Sequence, residues 1–96
     1  MALNKYKLYK QNKGDKTWWV DNRDVIGVFL FTLDKKKAYN LFRDYPDKLS
    51  VDEWLTFNAE NEYWKNFFKD RNEDYALKHA EELEKLGRTD VFKEFL

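Results

Sequence analysis

The chain has 96 residues, eighteen Lys/Arg balanced by eighteen Asp/Glu, one histidine and no cysteine. This balance excludes a uniformly basic or acidic polyelectrolyte, and the missing cysteine excludes disulfides, thiolate metal sites and a thiol nucleophile. Four Trp, six Tyr and eight Phe predict a single compact domain over 1–96 with a core of large rings, because each buried ring removes roughly 150–250 Å² from water.

The charge is polarised along the chain. Residues 1–48 carry eleven Lys/Arg against six Asp/Glu, and residues 49–96 carry seven against twelve. A split of this kind steers an anionic partner to one half or favours head-to-tail self-contact.

Tyr6 and Leu8 alternate with Lys5 and Lys7 until Asn12-Lys13-Gly14-Asp15, and alternation resumes at Thr17-Trp18-Trp19-Val20. Two strands joined through a glycine-containing loop fit this pattern. Asp21-Asn22-Arg23-Asp24 supplies turn formers, and Val25 to Leu33 predicts a third strand in which Gly27 marks a bulge or a later strand start. Asp34 then caps a predicted helix carrying Ala38, Leu41, Phe42 and Tyr45 at helical spacing, stopped by Pro46.

Ser50-Val51-Asp52-Glu53 has the form of a capping box, with Val51, Trp54, Leu55 and Asn58 on the face behind it. A short helix over 62–70 places Tyr63, Trp64, Phe67 and Phe68 on one stripe. Asn72 is read as the cap of a helix ending at Leu86, with Gly87 as a left-handed C-cap, and Thr89 starts a last short turn. The fold class is therefore α+β: an N-terminal three-stranded antiparallel sheet packed against several C-terminal helices. The predicted core holds Leu8, Trp18, Val20, Val28, Leu30, Leu41, Phe42, Trp54, Trp64, Phe67, Ala80 and Leu83.

Chemistry is thinly represented. His79 stands alone, Ser50 is absorbed by its capping role, and glycines at 14, 27 and 87 build no phosphate cradle. The acidic pairs read as solvated helix faces, so the sequence points to no enzyme, no metal and no cofactor. The missing cysteine makes a reducing cytoplasm the expected home, and no apolar run approaches the roughly 20 residues needed to cross a bilayer.

What remains is interaction. Lys5, Lys7, Lys10, Lys13 and Lys16 accompany Tyr9, Trp18 and Trp19, a mixture able to contact phosphates while offering rings to bases. Trp18 and Trp19 are adjacent in a strand and point to opposite faces, so one belongs to the core. Lys36, Asn40 and Arg43 share a stripe above Ala38, Leu41 and Phe42. These residues make an unidentified protein, or a second copy of the chain, the leading partner, and nucleic acid the alternative.

The words Trp18-Trp19-Val20-Asp21-Asn22, Asp34-Lys35-Lys36-Lys37, Tyr39-Asn40-Leu41-Phe42-Arg43-Asp44-Tyr45-Pro46 and Tyr63-Trp64-Lys65-Asn66-Phe67-Phe68-Lys69-Asp70-Arg71 together resemble a family of small uncharacterised proteins of Gram-positive bacteria. The resemblance covers residues 5 to 71. It implies a bacterial, cytoplasmic protein and transfers no activity and no functional residue.

Overall fold

A computed structural model describes residues 7–21, 29–34 and 37–95. Lys5, Tyr6, Arg23, Lys36, the 25–28 part of the expected third strand and the Gly27 bulge lie outside the described residues. The chain divides into two compact units, Met1–Lys48 and Leu49–Leu96.

The first unit is an antiparallel meander of β1 (Leu8–Tyr9), β2 (Thr17–Val20), β3 (Leu30–Leu33) and β4 (Ala38–Asn40), in that spatial order. The β1–β2 loop closes through reciprocal bonds, Asp15 N–H to the Asn12 carbonyl at 3.2 Å and Asn12 N–H to the Asp15 carboxylate at 3.3 Å. Gly14, at φ +94°, supplies the left-handed residue of this turn.

The sheet has four strands rather than three. Asp34 is not a helix cap: it adopts φ +56°, a turn conformation that short polar side chains tolerate, and the chain behind it folds back on β3. Three consecutive lysines at 35–37 would oppose a helix dipole, whereas Tyr39 in the strand stands opposite Phe31 and completes a row of rings. The helix starts later and is only α1 (Leu41–Asp44). Asn40 caps it, its side-chain oxygen accepting from Phe42 N–H at 3.1 Å while its own N–H donates to Asp44 at 2.8 Å.

The register defines two sheet faces. Trp19 lies opposite Phe31, and Phe31 opposite Tyr39, with ring centroids 5.4 and 5.5 Å apart. All three are buried. Trp18 lies on the other face opposite Thr32 and is only half-buried, so Trp19 takes the core place expected of Trp18. Phe42, also expected inside, is 48% exposed and meets Phe29 edge-on.

The second unit is helical: α2 (Val51–Glu60), α3 (Glu62–Phe67), α4 (Lys69–Lys78), α5 (Ala80–Lys85) and α6 (Thr89–Phe95). The capping box is present in both directions, Glu53 N–H donating to Ser50 Oγ at 3.2 Å and Ser50 N–H to Glu53 Oε1 at 2.9 Å. Around Trp54 gather Tyr75 and Phe95, with centroids 4.8 and 6.0 Å away. Val51, Phe57, Ala76, Leu83 and Val91 are buried as well.

The single helix expected over 72–86 is two segments, and Asn72 lies inside α4 rather than before it. Its amide is taken up by the interior, accepting from Trp54 Nε1–H at 2.7 Å and donating to the Lys65 carbonyl at 2.8 Å. A cap must face the helix start, and these two bonds hold the side chain elsewhere. Gly87 ends α5 as expected: at φ +70° its N–H reaches the Glu84 carbonyl, and Arg88 N–H reaches that of Leu83. This is the paired bonding of a Schellman ending.

Candidate interaction surface

Helix α3 carries the largest apolar exposure among the described residues. Tyr63 is 67% and Phe67 58% exposed, one helical turn apart, their rings stacked at 6.3 Å. Behind them Trp64 and Phe68 form a second row, stacked at 6.1 Å, with Phe68 buried and Trp64 half-buried. The rows interlock edge-on, Trp64 against Phe67 at 5.4 Å and Phe67 against Phe68 at 4.8 Å.

The platform is anchored from below. Asn72 holds the Lys65 carbonyl, Lys65 Nζ pairs with Glu94 of α6, and the Arg71 guanidinium lies 5.4 Å over Phe68. The helix breaks at Phe68, which adopts φ −101° and ψ 33°, and the two segments are held together by Phe68 N–H on the Trp64 carbonyl at 3.0 Å and Asn72 N–H on the Phe68 carbonyl at 2.9 Å. The outer rings thus sit on a fixed support and need little ordering on binding.

Of the four rings the sequence assigns to one stripe, only two turn inward. Phe67, expected in the core, faces solvent. A signal was present: the four rings span an arc wider than the roughly 100° that an inward-facing stripe requires.

The residues expected to form a basic, aromatic surface are divided by the sheet. Tyr9 stands opposite Trp19 on one face, Tyr9 exposed and Trp19 only 4% exposed. Trp18 lies on the opposite face with Lys10 Nζ 4.9 Å over its ring. Lys7, Lys13 and Lys16 are exposed. Arg43 forks onto Asp44 at 3.0 and 3.1 Å; this pairing raises the guanidinium pKa and lowers that of the carboxyl, against the opposing pull of burial.

The remaining chemistry is sparse. His79 Nδ1 lies 3.0 Å from Glu82, and its ring packs on Tyr75 at 4.3 Å. A cavity of about 290 Å³ opens between the α2 start and α5, lined by Ser50, Val51, Asp52, Glu82, Lys85 and Leu86. Among the described residues no cluster of His, Asp or Glu has the arrangement to hold a metal ion, and no helix is long and apolar enough to cross a membrane.

A family of unknown function, DUF7675, matches residues 8–72. The chain belongs to this family. The DUF7675 match runs from β1 into α4 and takes in Tyr63, Phe67 and the Trp54–Asn72 pair, close to the 5–71 span of the resemblance seen in the sequence. No curated protein and no solved structure matches the chain.

Proposed function

We propose that this DUF7675 protein is a protein-interaction module of the bacterial cytoplasm that docks through Tyr63 and Phe67. The observation that carries the reading is the double aromatic row of α3, in which Trp64 and Phe68 are spent on packing while Tyr63 and Phe67 remain in water. Interfaces favour Tyr, Trp and Phe at their centres, and a ring pre-positioned on a helix loses little conformational freedom when covered. Nucleic-acid binding through the sheet has less support, since Tyr9 and Trp18 occupy opposite faces and Trp19 is buried.

The test is a photo-crosslinking phenylalanine analogue placed at position 63, with the same group at the exposed position 13 as control. Illumination in cells is expected to give protein adducts from position 63 that are absent from position 13. Equal yields at the two positions would defeat the reading.

A further inference from the structure

We draw no further inference here: the strongest candidate, the exposed Tyr63–Phe67 face of α3, belongs to the surface already described, and nothing in the structure shows what covers it.

Discussion

The indole N–H of Trp54 donates to Asn72 Oδ1 at 2.7 Å where neither side chain reaches water. The bond joins α2 to α4, and the same amide donates to the Lys65 carbonyl, so one asparagine ties three helices together. A buried indole N–H deprived of its acceptor bears its full desolvation penalty. We expect Asn72→Leu to cost about 1–3 kcal/mol in urea unfolding. In a double-mutant cycle with Trp54→Phe, a coupling of about 0.5–3 kcal/mol is expected, and strict additivity would show that the bond contributes nothing.

The adjacent tryptophans of β2 make a matched experiment. Trp19 packs on Phe31 and is 4% exposed, while Trp18 is half-buried beneath Lys10. Trp19→Ala is expected to cost about 3–5 kcal/mol. Trp18→Ala should cost less than half as much, since an exposed cation–π contact contributes only about 0.5–1 kcal/mol. Equal losses in thermal unfolding would contradict the face assignment.

At the start of α2, Ser50→Ala removes the acceptor for Glu53 N–H and should destabilise by about 1 kcal/mol. Glu53→Gln keeps an acceptor for Ser50 N–H and should cost less. Chemical denaturation of both variants checks the order, and a larger loss from Glu53→Gln would reverse the assignment.

These sites also show what a sequence exposes and conceals. The Ser50–Glu53 box and the Gly87 ending were legible because each is local chemistry spelled within a few residues. The fourth strand was not, because Ala38–Asn40 is too short to display a period and Asp34 suits a turn as well as a cap. Asn72 misled for a related reason: a polar residue near a helix start suggests capping, while its real partners, Trp54 and Lys65, come from other helices. The outer row of α3 was half legible, since four rings span an arc too wide for all of them to turn inward. Hydrophobic spacing reveals that Tyr63 and Phe67 lie on an apolar face, but only the placement of neighbouring helices decides that Trp64 and Phe68 are covered and the outer pair is not.

Asp44 gives the first unit an acid sensitivity. Its hydrogen bonds from Arg43, aided by Asn40 N–H and by the positive charges of Arg43 and Lys37, hold its carboxyl below the ordinary value against the pull of burial. A carboxyl lowered in the folded chain contributes stability above its unfolded value, near 3.9, and that contribution is lost as pH falls through this value toward the folded one. Asp44→Asn is therefore expected to be less stable than the parent at neutral pH, with the gap closing below about pH 4. Asp90 is lowered in the same sense by Arg88, but both side chains are largely exposed and solvent screens the pair. A gap for Asp44→Asn that persists undiminished at about pH 2.5 would show that charge is not its source.

Gly87 isolates a backbone effect from any packing effect. It stands at φ +70°, and a methyl group at its Cα would meet nothing within 4 Å. Gly87→Ala should nevertheless cost about 1–2 kcal/mol, the penalty of a left-handed conformation for an ordinary residue. Gly87→Asn should cost less, because asparagine tolerates this region better. The Cβ of either residue meets open space, so the difference between them in denaturation midpoint reports chiefly on backbone conformation. If Gly87→Ala left the midpoint unchanged, the Schellman bonds from Gly87 to Glu84 and from Arg88 to Leu83 would not be what ends α5.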